Sequence, residues 1–369
     1  MNLDAETYSH LKFINHLDRI KSIQDTGTCY PVAIRLVLSD LCNHNCSFCI
    51  FRMDGDPSNE LFATIDPKTG EKNNNPKRLL SKDKVFEIID DCKEMGVKSI
   101  EFTGGGEPTV FPGHVDVFNK VVDSGIDFAL ISNGAIFREG LIEALMNATW
   151  CRFSIDAGSE ENYAKIREVS PKTFHKVQEN IKKLTDAKKT NGSNVTIGTG
   201  FVVTPSSFHE IYEAIKISHS LGVDNIRVGY YRESGLYKTP DFDEHVKAQL
   251  EQAKKDFNSE NFKVIDRYST TSENISSGSP DYDFCGYQHF STWIAGDFNV
   301  YRCCVTAYNP HGYVGSLKNQ RFKEMWDSEF TKEKLSKFKA SSCAHCIYND
   351  KNKSINYLLK QDPAHTNFL

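Results

Sequence analysis

The stretch Leu38-Ser39-Asp40-Leu41-Cys42-Asn43-His44-Asn45-Cys46-Ser47-Phe48-Cys49 follows directly on an apolar run, residues 32–38, that reads as a β-strand. Three cysteines crowd the loop at the end of that strand. Three thiolates in one short loop can wrap three irons of a 4Fe-4S cluster and leave the fourth iron open to an external ligand. A zinc loop and three buried cysteines are the competing readings. Zinc ligands usually come as closely spaced pairs, and the polar neighbours Asn43, His44 and Asn45 argue against burial.

Outward from this loop one theme repeats: a short β-rich run, a loop, then a segment of helical periodicity. Strands are expected at residues 32–38, 99–102, 127–131, 152–155, 195–203 and 225–228, in parallel strand-and-helix units. Phe174, Val177, Ile181 and Leu184 recur at three- and four-residue steps, the stripe of a helix packed on a sheet, and residues 85–95 look similar. Two polar, turn-rich segments break the rhythm. Residues 53–80, with DPKTGEKNNNPKR at their centre, read as a mobile surface insertion, with a substrate lid as the lesser alternative; residues 267–284 lead into a second unit. The expected organisation is a helical extension over 1–30, a catalytic domain over 31–270 and a C-terminal domain over 271–369.

Of 369 residues, 39% are hydrophobic and 25% charged, which fits a folded globular protein and excludes a disordered chain. A formal charge of -5 gives no general basic field, so no nucleic-acid or membrane partner is expected. The N-terminal segment lacks the uninterrupted apolar run of a signal peptide, which predicts a cytoplasmic protein. Eleven cysteines in a reducing compartment then imply metal binding, catalysis or burial rather than disulfides.

The CxxxCxΦC pattern of Cys42, Cys46 and Cys49, with Phe48 before the last cysteine, resembles the signature of the radical SAM superfamily. The resemblance implies an α/β fold, a partial (β/α)6 barrel of TIM type with the active site at the carboxyl ends of its strands. It also implies that S-adenosyl-L-methionine chelates the open iron, and that a flavodoxin- or ferredoxin-type donor supplies an electron to generate a 5'-deoxyadenosyl radical. Phe102-Thr103-Gly104-Gly105-Gly106-Glu107-Pro108 resembles the family's GGE motif, which assigns Gly105, Gly106 and Glu107 to the methionine end of the cofactor; alone, such a triplet is more often a turn. Ser154, near Asp156 at the end of the fourth expected strand, matches a ribose contact, with strand-end capping as the plain alternative. Arg167 matches the arginine that pairs with the methionine carboxylate, against a surface arginine beside Glu168. Gly198 and Gly200 fall where the adenine is contacted, and Arg227 is open to either a substrate or a structural role.

A second group comprises Cys285, Cys303, Cys304, Cys343 and Cys346. Cys285 and Cys303 bracket an apolar hairpin with a turn at Gly296, Asp297 and Asn299, and Cys343 and Cys346 form a CxxC pair. The layout resembles the Twitch domain, the short form of the SPASM domain, a small β-hairpin-plus-helix unit. That implies Cys285, Cys303, Cys343 and Cys346 as ligands of an auxiliary 4Fe-4S cluster. A four-cysteine zinc site would use the same thiols. Cys304 is open between an alternative ligand, a hydrogen-atom donor and burial. Cys29, Cys92 and Cys151 lie in apolar contexts and read as packing residues.

The auxiliary ligand layout resembles that of Twitch dehydrogenases, which implies hydrogen abstraction from a small polar substrate of sugar or aminocyclitol type, oxidised with help from the auxiliary cluster. A peptide-modifying maturase, crosslinking or epimerising a ribosomal peptide, is the alternative enzyme. A zinc-stapled binding scaffold is the non-catalytic alternative. His44, His209, His289 and His311 are available as bases, and none is assigned.

Overall fold

The structure, a computed structural model, describes residues 9–230, 241–269 and 278–360. The domain boundary expected near residue 270 lies outside these residues. Helix α1 (Leu17–Thr26) precedes strand β1 (Ala33–Leu36), and a small hairpin, β2 (Thr64–Ile65) with β3 (Lys72–Asn73), interrupts before strands and helices alternate. The alternation runs α2 (Lys82–Glu94), β4 (Ser99–Phe102), α3 (His114–Asp123), β5 (Asp127–Ser132), α4 (Leu141–Leu145), β6 (Trp150–Ser154), α5 (Glu160–Arg167), α6 (Lys172–Asn191), β7 (Thr196–Val203), α7 (Ile211–Ser220), β8 (Asn225–Tyr230), α8 (Asp243–Phe257) and β9 (Lys263–Asp266). Strands β1, β4, β5, β6, β7, β8 and β9 pair in that order, all parallel.

Period-two alternation decides what each face of this sheet meets. Ile34 and Leu36, Ile100 and Phe102, Phe128 and Leu130, and Cys151 and Phe153 point outward into one large core. The helices bring Val85, Ile88, Val117, Phe118 and the expected stripe Phe174, Val177, Ile181 and Leu184 to the same core. The intervening positions carry a different chemistry: Arg35 on β1 is ion-paired to Glu101 on β4 at 3.0 Å. Arg152 on β6 lies across Gly200 on β7, where an added Cβ would sit 3.4 Å from its Cδ. The fold is therefore α/β, a partial barrel with an apolar coat and a polar interior.

The C-terminal part comprises α9 (Tyr287–Phe290), β10 (Ser291–Ile294), β11 (Asn299–Tyr301), β12 (Tyr313–Ser316), α10 (Phe322–Asp327), α11 (Glu329–Ser336) and α12 (Asn349–Leu359). Strands β10 and β11 form the expected antiparallel hairpin, whose turn places Phe298 in the left-handed region at φ +68°. Strand β10 also pairs in parallel with β1, so one ten-stranded sheet runs β12-β11-β10-β1-β4-β5-β6-β7-β8-β9. The six expected strands are all present, and the sheet extends beyond them on both sides. Strand β9, Lys-Val-Ile-Asp, buries two adjacent residues and shows no alternation, and the β10 pairing joins positions far apart in sequence.

The insertion over 53–80 exposes residues 65–73, as its composition suggests, but is anchored on either side of them. Asp56, Ser58, Asn59 and Phe62 are buried, and its far end returns to β1, with Asp40 N donating to Arg78 O at 2.9 Å and Leu80 N to Leu38 O at 3.2 Å. Residues 65–73 at its centre are exposed, whereas the polar residues on either side satisfy its own backbone and that of its neighbours.

Because β10 is a strand of the barrel sheet, Ile294→Ala, which opens a cavity at a fully buried position, should cost about 2–5 kcal/mol. Hydrogen exchange read by mass spectrometry should show lost protection in β1 and β4 as well as in β10. A loss confined to residues 285–347 would contradict a shared sheet.

Candidate active site

The loop carrying Cys42, Cys46 and Cys49 begins where β1 ends, at the carboxyl end of the parallel strands. It is stitched to the end of α5, because Asn45 N donates to Arg167 O at 3.1 Å and Ser47 N to Ile166 O at 2.9 Å. The insertion holds its other side. Asn75 Oδ1 accepts from Cys42 N at 3.1 Å, and Asn75 Nδ2 donates back to Cys42 O at 3.1 Å. Arg52 donates to His44 O at 2.6 Å and to Asn75 Oδ1 at 2.7 Å. All three cysteines are unpaired and half-buried.

The glycine loop lies against this loop as a strand would: Gly106 N donates to Ser39 O at 3.0 Å and Glu107 N to Leu41 O at 3.0 Å. Only glycine fits. A Cβ on Gly106 would strike the Leu41 carbonyl, and one on Gly105 would lie 2.6 Å from Tyr308 Oη and 2.9 Å from Asp40 Oδ1. Glu107, which the family resemblance assigns to the cofactor, directs its carboxylate into the protein instead. Its oxygens accept from Thr109 N at 3.0 Å, Ser132 Oγ at 2.7 Å and Asn133 N at 2.8 Å. It thereby fixes the end of β5 and with it Asn133, whose Nδ2 lies 3.9 Å from Cys42 Sγ. Phe48 packs on the barrel core, and Ser154 sits half-buried on the inward face at the end of β6.

Arg167 is buried, not a surface residue, and is ion-paired to buried Asp156. Asp156 holds φ at +57° and also accepts from Val202 N at 2.7 Å. Burial raises the Asp156 carboxyl above its ordinary range despite the guanidinium. The same guanidinium approaches Cys46 Sγ at 3.9 Å and His44 Nδ1 at 3.3 Å. Arginine only donates, so His44 Nδ1 accepts and its proton sits on Nε2. Burial first, then Arg167 and Arg52, drive the His44 pKa down to about 3, so the ring is neutral.

Two buried N–H groups beside the thiols, His44 Nε2 and Arg167 Nε, have no hydrogen-bond partner among the described residues. A site rich in such donors and in soft sulfur ligands fits a thiolate-bound iron cluster and an anionic cofactor group. In the protein without iron, burial raises the thiols, Cys42 to about 11 and Cys46 to about 12.

In the C-terminal part, Cys285, Cys303, Cys343 and Cys346 all line one narrow cavity, together with Arg302, Thr306, Tyr348 and Asn352. Donors again face the sulfurs: Asn352 Nδ2 at 3.6 Å from Cys346 and Thr306 Oγ1 at 3.5 Å from Cys303. Cys304 does not line this cavity, and its Sγ lies 3.0 Å from Tyr348 Oη. Among the described residues, no three His, Cys, Asp or Glu side chains are arranged to hold a single metal ion. A 4Fe-4S cluster binds each thiolate to a different iron and so needs a wider spacing. Cys29, Cys92 and Cys151 are buried, Cys92 and Cys151 in the barrel core and Cys29 in a smaller cluster with Ile20, Phe290 and Ile355.

Residues 36–215 match the family described as the radical SAM superfamily. A radical SAM domain is found over those residues. Residues 285–347 match the SPASM iron-sulfur cluster-binding domain. The cofactors of these two domains are 4Fe-4S clusters and S-adenosyl-L-methionine. Curated relatives include a probable GTP 3',8-cyclase of Saccharolobus islandicus (strain M.14.25 / Kamchatka #1), 27% identical over 58% of this chain and 60% of that protein. The GTP 3',8-cyclase of Clostridium perfringens (strain SM101 / Type A) is 24% identical over 52% of this chain and 53% of its own. The match thus spans less than two thirds of these relatives. The fold is similar to that of Streptococcus suis SuiB bound to precursor peptide SuiA, with TM-score 0.63, 14% identity, and coverage of 95% of this chain and 78% of that one. No helix among the described residues is long and apolar enough to cross a membrane.

Asn75, Asn133, Arg52 and Asp40 were not singled out by the sequence. Asn133 falls in Ser132-Asn133-Gly134, whose only local signal is that of a turn after a strand.

Asp156→Ala leaves a buried guanidinium unpaired and should destabilise the protein by about 3–5 kcal/mol in chemical denaturation, whereas a surface pair would cost under about 1 kcal/mol. The raised thiol pKa values give a second expectation. Alkylation of Cys42 and Cys46 by iodoacetamide in iron-free protein should accelerate about tenfold per pH unit between pH 8 and 10, because only the thiolate reacts. A rate already level by pH 9, followed by mass spectrometry, would contradict them.

Proposed function

We propose that this chain abstracts a hydrogen atom from a small polar substrate, of sugar or aminocyclitol type, held within the partial barrel, and that an auxiliary cluster assists its oxidation. The observation that carries the reading is the barrel's lining: Arg35, Glu101, Arg152, Asn225 and Arg227 occupy inward strand positions, where a hydroxyl-rich molecule finds hydrogen-bond partners. When bound, the first cluster and S-adenosyl-L-methionine supply the 5'-deoxyadenosyl radical that takes the hydrogen.

The chain's own residues then divide the work. Cys42, Cys46 and Cys49 hold three irons, and the N–H groups of Asn133 and Arg167 temper the charge on the sulfurs. The Gly105 and Gly106 backbone leaves room for the methionine end of the cofactor, and Glu107 holds the neighbouring loop in place. Arg167, kept in position by Asp156, presents a cation toward the carboxylate; Phe48 and Ser154 border the adenosine. Cys285, Cys303, Cys343 and Cys346 hold the auxiliary cluster. A second reading, a peptide-modifying maturase, is favoured by the likeness in fold to SuiB, whose structure contains a precursor peptide.

Anaerobically reconstituted protein should hold ~8 irons per chain, and Cys285→Ala with Cys346→Ala should lose ~4 of them. Substrate deuterated at a carbinol carbon should transfer deuterium to 5'-deoxyadenosine. Deuterium transfer from peptides alone would select the second reading, and iron-free protein would overturn both.

A further inference from the structure

A cavity of about 660 Å³ lies in the C-terminal unit, lined by residues of 302–342. Lys334, Lys337 and Lys339 stand exposed along its rim, with Arg302, His311 and Phe338 at its base. The acids near it are few: Glu333 pairs with Lys337 at 2.5 Å, and Asp283 lies 3.6 Å from Lys339. Against a chain of net charge -5, this is a local excess of positive charge. Phe330, half exposed, adds an apolar contact beside the lysines.

The base of the groove is also the wall of the cavity lined by the four C-terminal cysteines. Arg302 and Phe338 border both spaces, with the guanidinium 4.1 Å above the ring. Arg302 is buried and fixed by Gln288 Oε1 at 2.6 Å and His311 O at 3.3 Å. His311 Nε2 reaches to 3.9 Å from Cys343 Sγ. A protein seated on the lysines would therefore be separated from a cluster thiolate by one side chain.

We propose that this groove docks an acidic one-electron carrier protein, which exchanges electrons with the auxiliary cluster across His311 and the Arg302–Phe338 wall. The proposal rests on the reading of Cys285, Cys303, Cys343 and Cys346 as cluster ligands. One electron leaves the reduced carrier and one enters the oxidised cluster, and no bond or proton need move. The exchange runs equally in reverse when the cluster has taken an electron from substrate. Lysines at the rim steer an acidic partner by long-range attraction, so the association should be fast and weaken with salt.

The test uses reconstituted full-length protein and reduced flavodoxin as the probe. Stopped-flow bleaching of the auxiliary cluster should be salt-dependent, and Lys334→Glu with Lys337→Glu and Lys339→Glu should slow it about tenfold or more. The corresponding glutamine variant should lie between. Bleaching by sodium dithionite and iron content should be unchanged in both, which excludes damage to the cluster. A control variant on α6, away from the groove's lining residues, Lys182→Glu with Lys183→Glu, should behave as the parent. An unchanged flavodoxin rate in a fully loaded triple variant would overturn the docking surface alone. Wild-type protein without auxiliary iron would overturn the ligand reading, and this proposal with it.

Discussion

One buried carboxylate, that of Asp40, joins every part of the catalytic face. It accepts from Arg78 Nε of the insertion at 2.7 Å and from the Tyr308 hydroxyl of the C-terminal unit. Glycines make way for it on both sides: a Cβ on Gly105 or on Gly296 would fall 2.9 Å or 2.6 Å from Oδ1. The first cysteine loop, the glycine loop, the insertion and the hairpin turn thus converge on one side chain. Arg78 then carries the constraint further, donating to Leu61 O at 3.2 Å and Phe62 O at 2.7 Å. Burial raises the Asp40 pKa to about 6, so the carboxylate holds its charge at a cost that Arg78 and Tyr308 only partly offset. A charge kept inside at such cost fixes a unique arrangement of four loops where packing of short polar segments would not.

The second organising constraint is the sheet. Cys42 follows β1 by six residues and Cys303 follows β11 by two, and β10 sits between those strands as a hydrogen-bonded neighbour of both. Cys42 and Cys303 are thereby mounted on strands of one sheet.

What the sequence makes legible is chemistry that is local. Three cysteines in eight residues, a glycine triplet after a strand, a CxxC pair and a 3.6-residue stripe each carry their meaning within a short window, and each stands where it was expected. Pairings across long separations are silent in sequence. Nothing near Ser291 announces a parallel partner at Ala33, and Asp40 reads as one more polar residue of a loop. The insertion misleads for a related reason: its asparagines suggest solvent, yet Asn75 and Asn59 spend their amides on Cys42 and Phe51 backbone groups. Arg167 and Glu107 stand out in the sequence, but their partners, Asp156 for one and Ser132 and Asn133 for the other, do not.

Between the two cysteine groups lies a compact aromatic layer of Phe51, Phe62, Trp293, Tyr301 and Tyr308, with Cys49 packed on it from one group and Cys304 from the other. Its rings meet edge-on or tilted, Phe62 and Tyr308 at 5.0 Å and Phe51 and Tyr308 at 5.4 Å. These rings come from the cysteine loop, the insertion and the hairpin, the same segments that Asp40 joins. The layer and the carboxylate are therefore two halves of one device: the charge sets the register of the loops, and the rings fill the space between them and exclude water. Radical chemistry needs that exclusion, because a reactive carbon radical must meet only the hydrogen presented to it. Cys304 stands at the edge of this layer, its thiol hydrogen-bonded to Tyr348, a residue that itself lines the cavity of the other four thiols, so Cys304 joins the layer to that cavity.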